Sequence, residues 1–123
     1  MRILLVEDDE GVRAFAVELL SGLGYTVLEA SDGEEALQLF EKYHGKIHLL
    51  LTDVVLPKMN GQQLASQLSA RCSELVVIFM SGYTQNAIVD HGVLKKGINF
   101  LSKPLSLDHL AKAVRNALDP VVR

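Results

Sequence analysis

The strongest constraint on this chain is a strict alternation. Short apolar runs at 2–6, 25–29, 47–52, 75–80 and 97–101 are separated by stretches with helical spacing. Strands alternating with helices argue for βαβ units and a parallel sheet. The first helix is the clearest. Val12, Phe15, Ala16, Leu19, Leu20 and Leu23 follow the i, i+3, i+4, i+7, i+8 rule, which predicts one buried face, and Gly22 and Gly24 stop it. Ser31, Asp32, Gly33 and Glu34 read as a capping box opening the second helix, with Ser31 as N-cap and Glu34 at N3. That helix runs to about Tyr43, and Gly45 ends it. The third follows Gly61, with Leu64, Ala65 and Leu68 facing inward. A short helix is predicted over 84–91. The last starts after Ser106, carries Leu107, Leu110, Ala111, Val114 and Leu118, and ends at Asp119 and Pro120.

Right-handed crossovers leave few topologies for such a chain. The flavodoxin-like (βα)5 arrangement has parallel strands in the order 2-1-3-4-5 and helices on both faces. It places strands one and three at the switch point, where ligands gather beyond the carboxyl ends. At 123 residues, with no linker, repeat or low-complexity stretch, 1–123 is expected to be a single domain. That length can bury a core without disulfides or a structural metal. A hydrophobic content of 49% excludes a disordered chain, and a net charge of −3 gives no basic footprint for nucleic acid. Cys72 is alone, so no internal disulfide forms, and a core or rim thiol is expected. Met1 and Arg2 lead straight into the first strand without a signal peptide. The longest apolar run, 75–80, is far too short to cross a bilayer. A cytoplasmic location without membrane contact is therefore expected.

Asp53 is the most informative single residue. It closes the apolar run 47–52, so its carboxylate stands at a strand's C-terminal end. A lone carboxylate there carries a desolvation cost. Pro57 and Gly61 place the next helix too far on for Asp53 to be its N-cap. The first strand runs into Glu7, Asp8, Asp9 and Glu10. Acids at a helix start also favour the macrodipole, so that run alone fits a solvated first turn equally well. Under the expected strand order these acids converge with Asp53. Clustered carboxylates repel and raise one another's pKa, and a cation removes that penalty. Mg²⁺ suits such a set, taking one or two carboxylates, waters and phosphate oxygens. Lys103, after the last strand and beside Pro104, adds a point charge; an exposed loop lysine is the commoner fate. Ser81 follows the run 76–80, where a hydroxyl can donate to a phosphoryl oxygen or simply serve a turn.

These residues, at the ends of four strands in one βα alternation, make the chain resemble the receiver domain of two-component response regulators. The resemblance covers residues 2–118. It rests on Val6, Glu7 and Asp8; on Asp53 with Pro57 and Gly61; on Met80, Ser81 and Gly82; and on Phe100 three residues before Lys103 and Pro104. It implies that Asp53 is the phosphoacceptor, taking a phosphoryl group from a partner's phosphohistidine. Glu7 and Asp8 would hold Mg²⁺ with Asp53, and the backbone carbonyl of Val55 would complete the protein ligands. Spacing alone does not fix which two of Glu7, Asp8 and Asp9 serve; the family register selects the first two. Lys103 would pair with Asp53 and then with the phosphate. Ser81 would bind a phosphoryl oxygen and draw inward, letting Phe100 turn in and changing partner affinity at the face built from 84–95, 97–101 and the last helix; an ordinary core aromatic is the bland alternative for Phe100. Val55 and Tyr83 would flank the phosphoryl group without a polar group to align water, implying a long-lived phosphoaspartate. His44, His48, His91 and His109 sit in no motif and are expected at the surface or rim.

The texture of 24–27, 50–57 and 79–84 is similar to receivers at the C-termini of hybrid sensor histidine kinases, and a stand-alone regulator fits almost as well. With the chain ending at Arg123, no output domain is expected. The implied partners are a sensor histidine kinase, in the hybrid case on the same polypeptide, and a histidine phosphotransfer protein. A haloacid-dehalogenase-like phosphatase wants a second Asp where Val55 stands. A flavodoxin-like FMN binder wants a hydroxyl- and glycine-rich loop where Glu7, Asp8, Asp9 and Glu10 stand. A degenerate receiver acting only as an interaction module would not need Asp53, Ser81 and Lys103 intact.

Overall fold

A computed structural model describes residues 1–43, 46–82 and 99–118. Five parallel strands form one sheet in the order β2-β1-β3-β4-β5. The strands are β1 (Arg2–Val6), β2 (Thr26–Ala30), β3 (Leu49–Asp53), β4 (Val76–Ser81) and β5 (Asn99–Ser102). Four described helices connect or follow them: α1 (Glu10–Gly22), α2 (Gly33–Lys42), α3 (Gly61–Arg71) and α4 (Leu107–Leu118). The expected flavodoxin-like order is the observed one, with strand boundaries moved one or two residues toward the C-terminus after β1. The expected helix at 84–91, the stops at Gly45, Asp119 and Pro120, and residues His44, Tyr83 and His91 lie outside the described residues.

Strand periodicity divides the core in two. Leu4, Val6, Leu50 and Phe79 point to one face and pack with Ala36 of α2 and with Leu64, Ala65 and Leu68 of α3. Ile3, Leu5, Leu49, Leu51, Ile78 and Met80 point to the other. There they meet Ala16 and Leu20 of α1 and Leu110, Val114 and Ala117 of α4. All five residues of β3 are buried, as a central parallel strand requires. Cys72 caps α3 and packs against the first core, half-buried.

Three local expectations are corrected. Phe15 and Leu23 are not part of the buried face of α1; they are 46% and 41% exposed, because the sheet is covered by Ala16 and Leu20 one step round the helix. Leu107 is likewise exposed, while Ala117 takes a core position on α4. The N-cap of α2 is Asp32, not Ser31: its carboxylate accepts from the Glu35 amide, and Glu35 reaches back to the Ser31 amide. Gly33 then opens the helix against Met59, whose Sδ would lie 2.8 Å from any Cβ at that position.

Candidate functional site

Sheet register assembles the site. Val6 pairs with Thr52, so Glu7, one residue on, arrives level with Asp53. Asp53 pairs with Met80, and Ser81, one residue on, pairs with Ser102, directly before Lys103. The carboxyl ends of four strands therefore present Glu7, Asp53, Ser81 and Lys103 along one edge of the sheet.

Each of these groups is held. Asp53 is 7% exposed, and its strand neighbour Val54 donates its amide to the Met80 carbonyl. Thr52 Oγ1 donates to the Asp53 carbonyl oxygen at 3.0 Å. The loop after β3 folds back so closely that a Cβ on Gly61 would overlap that same carbonyl, while the Gly61 amide donates to Val54. Glycine is required here by close backbone approach. Asn60 and Gln63 form a reciprocal capping box that starts α3; this Asn-x-x-Gln pattern stood in the sequence unread. Ser81 is buried, and its carbonyl accepts from the Lys103 amide at 2.9 Å. The Lys103-Pro104 peptide is cis.

Lys103 is the electrostatic hub. Its Nζ lies 2.6 Å from Asp53 Oδ2 and 2.7 Å from Glu7 Oε2. Burial alone would lower the pKa of this ammonium, but the two carboxylates outweigh burial and hold it above the ordinary 10.5. Glu7 shows the opposite strain. Burial pushes its carboxyl from 4.5 up to about 7; the Asp53 carboxylate adds to the rise, while Lys103 and the Asp9 amide oppose it. The bond from Lys103 to Glu7, and not only to Asp53, was missed in the sequence.

Carboxylate oxygens of Glu7, Asp8 and Asp53 lie within 4.8 Å of one another. Asp9 stands apart as the N-cap of α1, accepting from the Val12 amide at 3.0 Å and donating its own amide to Glu7 Oε1. The acidic run thus divides by job, two residues facing Asp53 and one capping the helix. An all-carboxylate, hard-oxygen donor set fits Mg²⁺. Val55, two residues past Asp53, is 61% exposed. Phe100 pairs with Phe79 in register and packs, half-buried, against the first core. Of the described histidines, His109 is exposed, whereas His48 is half-buried and its Nδ1 accepts from the Arg2 amide at 3.0 Å. That is a structural role at the start of β1, away from the strands' carboxyl ends.

The chain matches the response regulator receiver domain family over residues 3–115. It is 38% identical over 117 residues to the sensor kinase CckA of Brucella abortus, covering 95% of this chain and 12% of that kinase. It is 32% identical to the response regulator receiver protein CpdR of the same organism, covering 95% of this chain and 96% of that one. The solved receiver domain from the hybrid histidine kinase CckA superposes with a TM-score of 0.81 at 39% identity, covering 97% and 100% of the two chains. The response regulator TrrA of Thermotoga maritima, solved with Mg(2+)-BeF, gives a TM-score of 0.78 at 25% identity, covering 95% and 98%. The chain spans less than a third of the length of the first curated relatives, 12%, 31% and 15%. Among the described residues, no helix is long and apolar enough to cross a membrane. Matched from β1 into α4, with an acidic cluster that fits the Mg²⁺ phosphorylation site, the chain belongs to the response regulator receiver domain family.

Proposed function

We propose that Asp53 is the phosphoacceptor and that residues 1–123 act as one receiver domain in a phosphorelay. The observation that carries this is the placement of a buried carboxylate, Asp53, 2.6 Å from the Lys103 ammonium and within 4.8 Å of Glu7 and Asp8. An Asp53 carboxylate oxygen attacks the phosphorus of a phosphohistidine. The phosphorus–nitrogen bond breaks, its electron pair leaves with the imidazole, and an aspartyl phosphate remains. Mg²⁺, held by Glu7, Asp8, Asp53 and the Val55 carbonyl, supplies charge neutralisation for the phosphoryl oxygens when bound. Lys103 moves its second contact from carboxylate to phosphoryl oxygen. The chain thus catalyses its own phosphorylation and dephosphorylation by positioning and charge, and is a signalling domain rather than an enzyme on external substrates.

The switch follows from the same edge. Ser81 Oγ donates to a phosphoryl oxygen and draws the end of β4 inward, and Phe100 turns in behind it. Two states differing in their interaction with phosphate are shifted in population by its arrival. Val55 carries no polar group to align water, which favours a long-lived phosphoaspartate; Tyr83, the second tuning position read from the sequence, lies outside the described residues. The phosphodonor is a sensor histidine kinase in the cytoplasm, and the similarity to the CckA receiver favours one on the same polypeptide. Onward transfer goes to a histidine phosphotransfer protein.

Acetyl phosphate with Mg²⁺, followed by intact mass, tests the chemistry. One phosphoryl adduct is expected, lost in Asp53→Asn and suppressed by EDTA. Labelling without Mg²⁺, or at another residue, overturns the assignment. No adduct under any condition would leave an interaction module, and steady turnover of small phosphomonoesters would indicate the phosphatase.

A further inference from the structure

We propose that Arg13 is a positioning residue for the metal-binding turn: oriented by Glu29, it clamps the backbone of Glu7 and thereby sets the affinity for Mg²⁺. This rests on the assignment of Glu7, Asp8 and Asp53 as the metal's ligands. The turn from β1 to α1 is only three residues long, and two of them belong to the acidic cluster. Glu7 is fixed at every polar group. Its amide donates to the Ala30 carbonyl at 3.1 Å, Oε1 accepts from the Asp9 amide at 3.1 Å, and Oε2 accepts from Lys103 at 2.7 Å. Its carbonyl leaves the end of a buried strand and needs a donor. Arg13 Nη1 supplies it, at 2.8 Å.

Arg13 is suited to this by geometry. Its own amide donates to the Asp9 carbonyl at 2.9 Å, so the helix fixes its Cα one turn above the loop. Its Nε faces Glu29 Oε1 on β2 at 3.3 Å. One planar guanidinium therefore joins β2 to the turn after β1, which a single ammonium does not do. A partly exposed ion pair like Arg13–Glu29 adds little stability, so orientation is its main effect.

The consequence falls on Asp8. Of the three clustered acids it is the exposed one, whereas Glu7 and Asp53 are buried. The Glu7 carbonyl and the Asp8 amide share one rigid peptide plane. Fixing the carbonyl oxygen fixes the plane from which the Asp8 side chain departs. Without the clamp that plane can rock, and Asp8 must be ordered by the ion itself. Groups that orient ligands in this way commonly change metal affinity by about 10- to 100-fold when removed.

Calorimetric titration of Mg²⁺ into the full chain at pH 8 tests this, with thermal melts in EDTA alongside. Arg13→Ala should raise the Mg²⁺ dissociation constant about tenfold, Arg13→Lys should recover only part of the loss, and Glu29→Gln should raise it about threefold. The double variant should be no worse than Arg13→Ala alone, because the two act as one unit. A merely structural role would lower the EDTA melting point in proportion and leave affinity unchanged. A dissociation constant in Arg13→Ala within about twofold of the parent overturns the proposal. Should Arg13→Ala fail to fold, Glu29→Gln decides, and unchanged affinity there overturns it equally. If the parent binds no Mg²⁺, or binds it undiminished in Asp8→Asn and Asp53→Asn, the ligand assignment itself falls, a result distinct from an Arg13 failure.

Discussion

Acidifying the metal-free protein from pH 8 to 6 should stabilise it. Glu7 is 1% exposed and shares one ammonium with Asp53. Burial first, and then the neighbouring carboxylate, raises its carboxyl from 4.5 to about 7. The folded chain therefore holds a proton that the unfolded chain releases above pH 4.5. A shift of this size corresponds to about 3 kcal/mol, fully present below pH 4.5 and lost as pH rises through 7. Roughly 1 kcal/mol of it falls between pH 8 and pH 6, a few degrees in melting temperature for a chain of this length. His48 acts in the opposite sense. Burial lowers its pKa from 6.5, so its contribution is lost as pH falls below that value. His48 therefore opposes the rise below about pH 6.5, and the parent gains less there than Glu7 alone would give.

The assay is a series of melts in EDTA at pH 8, 7, 6.5 and 6 for the parent and Glu7→Gln. The variant keeps His48, so subtracting its profile isolates Glu7. The parent should gain stability relative to Glu7→Gln as pH falls. With saturating Mg²⁺ the trend should reverse, because the metal competes with the proton for the same oxygens. A parent profile in EDTA that is flat or falls from pH 8 to 6.5, or a Glu7→Gln profile of equal slope, refutes the reasoning.

Other perturbations reach other parts of the site. Lys103→Met leaves two buried carboxylates facing each other and should cost about 3 kcal/mol in EDTA at pH 8, with Mg²⁺ restoring part of the loss; chemical denaturation measures both. Gly61→Ala drives a methyl into the Asp53 carbonyl and should cost about 2–4 kcal/mol while slowing phosphorylation. Gly22→Ala, where a Cβ meets nothing within 4 Å, should stabilise by about 0.5 kcal/mol in the same melts. Val55→Asn and Tyr83→Glu should hasten loss of the phosphoryl adduct on a gel or mass time course, and no acceleration in either would count against the tuning role.

Legibility followed the physics of each signal. Asp53 could be read because an apolar strand ending on a carboxylate has few explanations. The parallel order could be read because buried strands and helices alternate without interruption. The division of Glu7, Asp8 and Asp9 could not be read from spacing, since a helix cap and a metal ligand both want a carboxylate. Only the Asp9 bond to the Val12 amide separates them. Phe15 was misplaced because periodicity gives the direction of a helix face but not its width. The width is set by how closely α1 lies against β1 and β2, where Ala16 and Leu20 suffice. Ser31 and Asp32 are both good caps, and the tight fit of Gly33 against Met59 fixes which residue opens α2. The Lys103–Glu7 contact joins residues 96 positions apart and leaves no local trace.

These pieces share one electrostatic logic. Three carboxylates cluster and two of them share a single ammonium, a set that is under-compensated by two charges when all three are ionised. Lys103 divides itself between Glu7 and Asp53 and does not offset the burial that pushes the Glu7 carboxyl up to about 7, so that carboxyl retains a proton near neutrality. A divalent cation closes that deficit, so metal and proton become alternatives at the same oxygens. Under the proposed assignment, a phosphoryl group at Asp53 would reopen it by adding negative charge beside Lys103. In the proposed switch its arrival would draw Lys103 and the end of β4 toward Asp53. The site is arranged so that each added charge recruits a group already within reach, and the rigid register of four parallel strands keeps that reach short.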